Sequence, residues 1–549
     1  VLLTVAAYLP AFRCGFVMDD ELLITENRII KAGDGLCRFW FTTESPDYYP
    51  LTWSLWWLEW RLWGSNAAGY HVVNVLLHAA NAVLVWMILR RLKIPGAWLA
   101  GLVFAVHPVN VATVAWISEQ KNTLSMLFFA VAILLYLRFD AECRLPRTSV
   151  RGWRWYGLSL AAFLLALLSK TAAVMFPVVL LGCVWWTRGT VRWKDLLRSG
   201  PFFVMSLVLG LVTIWFQYDR VLKGQAVRTG GFLSRLVAAG WVPWFYLDKV
   251  FLPFNLTVIY PKWDIDATQW ISYIPGMILV GCFALFWWKR RTGGRPLLFA
   301  LGYFVATLFP VLGFFDQAFY QFSLVADHWQ YYSIVGVIAL VVAAGERICR
   351  RMGEPGRYLG TVAGVAVLAV LAVATWRRNC VYADPEILWR DNVAKEPNVW
   401  AAHNNLGGAL LRAGKVEESI RQFELALHIK PDLAVPHNNL GRAFLHLGNV
   451  EEAVHQFELA LHIKPEYAEA HNNLGVTLGQ IGDIDGAIRH LEQAVRIKPD
   501  FAEAHYDLAV ALELAGRMPE AIRHLEQAVR LKPDFVEAQS QLARLRSAQ

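Results

Sequence analysis

The sequence predicts an all-α protein in two parts, a polytopic helical membrane region followed by a solenoid of stacked helix pairs. Three observations carry this. The 549 residues are 56% hydrophobic and only 17% charged, a balance and a length that argue against one ordinary soluble domain. Before Arg377-Arg378, apolar runs of about 17–22 residues follow one another, as a hydrocarbon core about 30 Å thick requires. After that point five prolines, Pro397, Pro431, Pro465, Pro499 and Pro533, recur every 34 residues. The tryptophans divide at the same place: 23 of the 25 precede residue 380, leaving Trp389 and Trp400.

Membrane spans are expected near 1–13, 68–89, 96–117, 121–138, 154–169, 171–187, 200–217, 270–288, 296–315, 329–346 and 358–376, eleven in all. The chain opens at Val1 inside an apolar run without methionine, so the first span is expected to be incomplete, and no signal peptide is readable. The segment 236–255 carries Pro243, Asp248, Lys249 and Pro253, and reads as a re-entrant or surface helix. Basic clusters set the orientation. Arg90-Arg91-Lys93, Arg138 to Arg154, Arg188 to Arg198, Lys289 to Arg295 and Arg347 to Arg357 occupy every second connection, which should be cytoplasmic. The alternate connections, with Asp19-Asp20, Glu119 to Asn122, Ser169-Lys170 and Asp327-His328, then face outward. With eleven spans the residues after Arg377 emerge on that side too, Arg377-Arg378 being a small violation. The net charge of +8 lies in these short clusters, so it reads as topology and not as a nucleic-acid surface. The seven cysteines show neither a CxxC pair nor zinc spacing; Cys14 and Cys37 would pair only if their loop lies outside the cytoplasm.

On the outward side, Asp19-Asp20 follows the first span directly, with Glu21 next; in isolation such a pair is a solvated loop start. Trp53, Trp56, Trp57, Trp60 and Trp63 recur at three- and four-residue steps, a stripe expected to lie in the membrane interface, with a protein-packing face as the alternative. His71, Asn74, His78 and Asn81 share one face of the second span, where polar groups line a cavity or bond to another helix. His71, at the outer end, is the best functional candidate of the four. His107-Pro108 interrupts the third span, and Glu119-Gln120-Lys121-Asn122 makes the turn after it. Lys170 and His328 sit in two more short outer turns.

These residues carry a resemblance. Met18-Asp19-Asp20 with Asn27, Tyr49-Pro50-Leu51, Tyr70-His71-Val72-Val73-Asn74 with Leu77-His78, Phe104-Ala105-Val106-His107-Pro108-Val109 and Trp116-Ile117 resemble the transmembrane and tetratricopeptide repeat-containing O-mannosyltransferases and their bacterial relatives. The resemblance implies a GT-C fold, in which polytopic glycosyltransferases take a sugar from a polyprenyl-phosphate carrier. It also implies that the acidic motif of the first outer loop, here Asp19 and Asp20, is catalytic. Animal members usually have a Gly-Arg-containing turn after Trp-Ile, whereas this chain has Ser118-Glu119-Gln120-Lys121-Asn122. Asp327-His328-Trp329-Gln330-Tyr331 looks more like the bacterial branch, and the resemblance implies glycosyl transfer with mannose as the sugar.

The residue types suit that chemistry. A hydroxyl that attacks an anomeric carbon must lose its proton to a base, the role expected of Asp19, with Asp20 orienting substrate or holding a divalent metal. The lipid phosphate leaves without needing a proton but needs cations where charge grows; Lys121, Lys170 and His328 are the candidates. His71, His107 and Glu119 would line the substrate cavity. One carboxylate and one displacement would invert the anomeric centre.

The 34-residue period is the tetratricopeptide length. Four units run 400–433, 434–467, 468–501 and 502–535, with a linking helix in 378–399 after the membrane domain 1–377 and a cap at 536–549. Gly407, Gly441, Gly475 and Ala509 let helices approach, opposite Phe423, Phe457, Leu491 and Leu525. Gly414, Gly448, Gly482 and Gly516 turn each helix into the next. Asn405, Asn439, Asn473 and Asp507 repeat at one position, and an amide ladder can bind a peptide backbone; these positions resemble the ladder in the repeat domain of the O-linked N-acetylglucosamine transferase. Repeat-to-repeat bonding is the alternative for them. His403, His437, His471 and His505, two residues earlier, read as packing residues.

The leading expectation is therefore a multi-pass enzyme of a bacterial inner membrane, with periplasmic repeats that hold a protein acceptor for sugar transfer to Ser or Thr. A membrane-anchored scaffold for envelope assembly is the alternative and would not need Asp19, Lys121 and Lys170 on one face. A transporter would place charges at mid-membrane, whereas here they cluster at span ends.

Overall fold

The computed structural model describes residues 1–143, 150–222, 227 and 230–547. Of the basic cluster Arg138 to Arg154, residues 144–149 lie outside the described residues, as do 548–549 of the expected cap. The chain divides into two compact units, Val1–Asp391 and Asn392–Gln549. The described elements are helices throughout.

Among the described residues of the first unit seven helices are long and apolar enough to cross a bilayer: Ala67–Arg91, Ile117–Glu142, Thr171–Arg188, Trp193–Val221, Trp270–Arg291, Gly294–Val311 and Gly353–Val381. An eighth apolar segment is the pair Ala97–Ala105 and Pro108–Val114, bent by 47°. The bend follows from Pro108, which cannot continue the ladder of hydrogen bonds. The other three expected segments are shorter or more polar helices. Leu2–Ala7 passes into a 3₁₀ turn at Pro10, Val150–Ser169 opens with Arg151 and Arg154, and Ile334–Arg351 ends with Arg347, Arg350 and Arg351. Eleven apolar segments thus give seven full-length helices, one bent pair and three helices that fall short of a full apolar span.

Two sets of connections gather at two poles of this unit. At the basic pole Arg188 pairs with Asp140 and, at 2.8 Å, with Asp195. There Arg295 donates to the carbonyls of Trp185 (2.8 Å) and Trp186, and the Trp186 indole donates to the Leu92 carbonyl at 2.9 Å. The connections after residues 91, 142, 188 and 291 are thereby joined. The acidic loops meet at the other pole. The segment 236–255 lies within one continuous helix, Phe232–Phe251, and the few residues after it. Near its start Arg235 pairs with Asp316 at 2.8 Å, and beyond its end Tyr260 donates to Asp327 at 2.8 Å, so both flanks belong to the acidic pole.

The tryptophan stripe is a packing face. Trp53 and Trp56 are buried; Trp53 stacks on Phe39 at 5.2 Å and meets Trp56 edge-on at 5.1 Å. The helix Pro50–Trp63 lays this face on residues 16–40 of the first loop, and Leu58 and Leu62 are the exposed apolar residues. An interfacial role for the stripe is corrected accordingly: indole N–H groups that find protein acceptors, as Trp56 does on Gln120 (2.8 Å) and Trp57 on the Ala32 carbonyl (3.0 Å), have no need of headgroups. Cys14 and Cys37 are unpaired thiols.

The second unit stacks the pairs Trp400–Arg412 with Val416–Ile429, Ala434–His446 with Val450–Ile463, Ala468–Gln480 with Ile484–Ile497, and Ala502–Leu514 with Met518–Leu531, closed by Val536–Ser547. Gly414, Gly448, Gly482 and Gly516 turn with φ of 75°, 77°, 87° and 74°, the left-handed region where a side chain is strained. A Cβ on Gly407 would stand 2.6 Å from the Phe423 ring, which is why the small residue is needed there.

Candidate functional site

Glu119 is the node of the acidic pole. It is 2% exposed, in the 3₁₀ turn Ile117–Glu119 that opens the Gln120–Glu142 helix. Its carboxylate meets Lys121 Nζ at 2.9 Å, Lys170 Nζ at 3.1 Å and His328 Nε2 at 3.8 Å, and accepts the Asn122 amide. Three connections far apart in sequence are thus tied at one carboxylate. Burial pulls the Lys170 ammonium down to about 8, against the pull of Glu119 and with help from Lys121. Burial also holds His328 down to about 4, opposed by Glu119, so its ring is neutral at pH 7; it lies edge-on to Trp116 at 5.3 Å.

The two aspartates differ. Asp20 is fully buried: one carboxylate oxygen accepts the Val17 amide at 3.0 Å, the other the Ser118 amide at 2.6 Å. It fastens the first loop to the residue before Glu119. Burial pushes its carboxyl up to about 7, the two backbone donors opposing. Asp19 is exposed to solvent although protein surrounds it, the situation of a group in a concave surface. Desolvation raises its carboxyl, Lys121 lowers it and Glu119 raises it, so Asp19 shares the field of the node. The preceding residue, Met18, has φ 55°, an uncommon conformation for a side-chain-bearing residue, and it lies where the chain separates an exposed carboxylate from a buried one.

The sequence reading missed Asp47. Its carboxylate accepts Gln217 Nε2 at 2.5 Å, and burial raises it against the fields of Lys121 and Lys170. The signal available was its place two residues before Tyr49-Pro50-Leu51. The first loop is also tied to the Lys170 turn, where Thr52 donates to the Ser169 carbonyl at 2.8 Å. Glu59 is 1% exposed and accepts Gln120 Nε2 at 2.7 Å; burial pushes it up to about 8.

The remaining residues of the sequence reading fall elsewhere. His71 is fully buried against the backbone of Cys14 and Gly15. His107 Nε2 bonds to the Val250 carbonyl at 3.1 Å and its Nδ1 accepts the Val109 amide at 3.4 Å; among the described residues no contact joins it to Glu119. Asn74, His78 and Asn81 bond helix to helix: Asn74 donates to the carbonyls of Thr113 and Val114, while His78 and Asn81 share the Tyr331 hydroxyl. No group of three His, Cys, Asp or Glu side chains with metal-holding geometry occurs among the described residues.

In the repeats, Asn439 donates to Asn404 of the preceding unit at 3.1 Å, Asn473 to Asn438 at 2.8 Å, and Asp507 accepts Asn472 at 3.0 Å. Asn405, in the first unit, accepts Asn404 at 3.3 Å. The half-exposed ladder therefore stitches neighbouring repeats through a second, buried row. Three of the histidines tie Nε2 to the carbonyl of the proline six residues earlier, just before their own unit, His403 to Pro397, His471 to Pro465 and His505 to Pro499. Nδ1 bonds to the second helix: Gln422 and Gln456 in the first two units, His490 and His524 in the last two.

Three family models described as tetratricopeptide repeat match residues 388–434, 432–500 and 480–548. Protein O-mannosyl-transferase TMTC3 of Homo sapiens is 23% identical over 477 residues, 78% of this chain and 50% of that protein. Protein O-mannosyl-transferase Tmtc3 of Drosophila melanogaster is 23% identical over 522 residues, 78% and 54% of the two chains. TMTC2 of Mus musculus is 32% identical over 166 residues, 28% and 20%. The chain spans about half the length of the first two relatives. Among solved structures, a crystal structure of MamA is 22% identical, covering 28% of this chain and 89% of that one with a TM-score of 0.25. The tetratricopeptide protein TTC0263 of Thermus thermophilus is 20% identical, covering 32% and 94%, with a TM-score of 0.27.

Proposed function

From a chain related to the O-mannosyl-transferases that carry tetratricopeptide repeats, we propose a membrane glycosyltransferase that moves mannose from a polyprenyl-phosphate carrier to Ser or Thr hydroxyls of proteins. The observation that carries this is the node at Glu119, where two lysines and a histidine from three connections stand beside the Asp19 loop. Lys121 and Lys170 hold the phosphate, whose charge grows by one as the sugar leaves. Glu119 keeps both ammoniums in place before the donor arrives, and the carboxylate–lysine contacts loosen when phosphate oxygens compete for them.

Asp19, the exposed carboxylate, accepts the proton of the attacking hydroxyl; its raised pKa makes it a better base than a free carboxylate. Attack on the face opposite the phosphate inverts the anomeric centre. Asp20 is a positioning residue: with both oxygens on backbone amides it fixes Asp19 relative to Glu119. A location outside the cytoplasm, periplasmic in a bacterial inner membrane, is part of this proposal for site and repeats alike, and the distribution of positive charge supports it. The repeats bind an acceptor chain through the ladder atoms that the inter-repeat bonds leave over. Membranes holding the Asp19→Asn protein, supplied with radiolabelled polyprenyl-phosphate mannose, test this: label must reach protein with the natural chain and not with the variant.

A further inference from the structure

The helical bundle contains a cavity of about 400 Å³ that the transfer chemistry leaves unused. Its walls come from 85–95, 126–133, 179–186, 296–303 and 335–347, and its lining is mostly apolar, with Arg347 the one charged side chain in it. Arg347 closes the Ile334–Arg351 helix at the basic pole, exposed and, among the described residues, without an ion pair. The opposite end abuts an aromatic layer. Phe129 packs edge-on against Tyr332 at 5.3 Å, and Tyr303 turns its hydroxyl to the Tyr332 carbonyl at 3.1 Å. Ser125, beside Met126 of the lining, donates to the Lys170 carbonyl at 3.1 Å, so this layer separates the cavity from the Glu119 node.

A void of this size forfeits the dispersion contacts of all its walls, and protein interiors keep few voids larger than a water. Water would find no partners in it. Hydrocarbon fills it without either cost. From Val335 to Arg347 a helix rises about 18 Å at about 1.5 Å per residue, the reach of a stretched chain of about sixteen carbons.

We propose that one acyl chain of an anionic glycerophospholipid occupies this cavity from the leaflet at the basic pole, with its phosphate on Arg347. A polyprenyl donor is excluded on geometry: its chain is several times too long, and its phosphate must reach Lys121 and Lys170 beyond the Phe129–Tyr332 layer. The site is independent of the transfer reaction.

The test is native mass spectrometry of the full chain in mild detergent, with phosphatidylglycerol, phosphatidylcholine or polyprenyl phosphate added. The natural protein should retain one phosphatidylglycerol about fivefold better than phosphatidylcholine, the preference one surface arginine gives. Arg347→Gln should abolish that preference, and Ala343→Trp, filling the chain's path, should lower retention of both lipids roughly tenfold or more. Arg347 is exposed, so its variant reads the site even if Ala343→Trp fails to fold. Equal retention of the two lipids by the natural protein, or a preference unchanged by Arg347→Gln, overturns the proposal. So does polyprenyl phosphate displacing phosphatidylglycerol.

Discussion

Replacing Glu119 by glutamine keeps the shape of the node and removes its negative charge. Lys121 and Lys170, 2.9 and 3.1 Å from the carboxylate and less than one-fifth exposed, are then left with a neutral amide. At an effective dielectric constant of about 20, each contact is worth about 5 kcal/mol before desolvation. Removing one partner from a buried pair costs about 3–5 kcal/mol, and we expect Glu119→Gln to lose that much in equilibrium unfolding in mixed micelles. In the proposed reaction polyprenyl phosphate would bring oxygens to the same ammoniums, so it should stabilise the variant more than the natural protein. A variant that unfolds within about 0.5 kcal/mol of the natural protein, the range of an ordinary surface substitution, refutes the buried node. Equal stabilisation of both proteins by the ligand refutes the lysines as its seat.

Lys170, held down to about 8 by burial, is charged below that pH and neutral above it. In a transfer assay kcat/KM should therefore fall as pH rises through about 8, and Lys170→Arg should move that limb beyond the measurable range. In the repeats, burial and the neighbouring His505 hold His524 down to about 4. Between about 6.5 and 4 the unfolded chain takes up a proton that the folded chain refuses, so stability falls with pH, by an amount of order 2 kcal/mol for a half-buried ring. Denaturant unfolding of residues 392–547 should show this loss, and His524→Gln, copying Gln422 and Gln456, should reduce it. Gly407→Ala should cost about 1–3 kcal/mol by crowding Phe423. Adding Phe423→Leu should recover most of that, because Ala509 already faces Leu525 in the fourth repeat; calorimetry of the two variants checks it.

The repeats were legible because each unit states its own answer four times: proline, glycine turn and small-against-large pairs recur at one spacing. The eleven apolar segments were legible too, as was the interruption at Pro108, but length and hydropathy could not show that charges shorten others. Residue types also announced the node, since Glu119, Lys121, Lys170 and His328 fall in short turns on one side. What stayed hidden depends on which atoms meet. A tryptophan stripe looks alike whether it faces lipid or the 16–40 loop. Asp19 and Asp20 are adjacent carboxylates in the sequence, and only the backbone turn at Met18 and the amides of Val17 and Ser118 separate their tasks. The Asn ladder lost part of its free hydrogen-bonding capacity to a neighbouring row that the 34-residue period places beside it.

The most direct measurement is transfer of radiolabelled mannose from its polyprenyl phosphate to protein in membranes carrying equal amounts of natural and Asp19→Asn chains. The exposed carboxylate as base predicts label with the natural chain and a loss of about 10²-fold or more with the variant. Full transfer by Asp19→Asn would contradict the assignment of the base, and no transfer by the natural chain would contradict the proposed reaction itself.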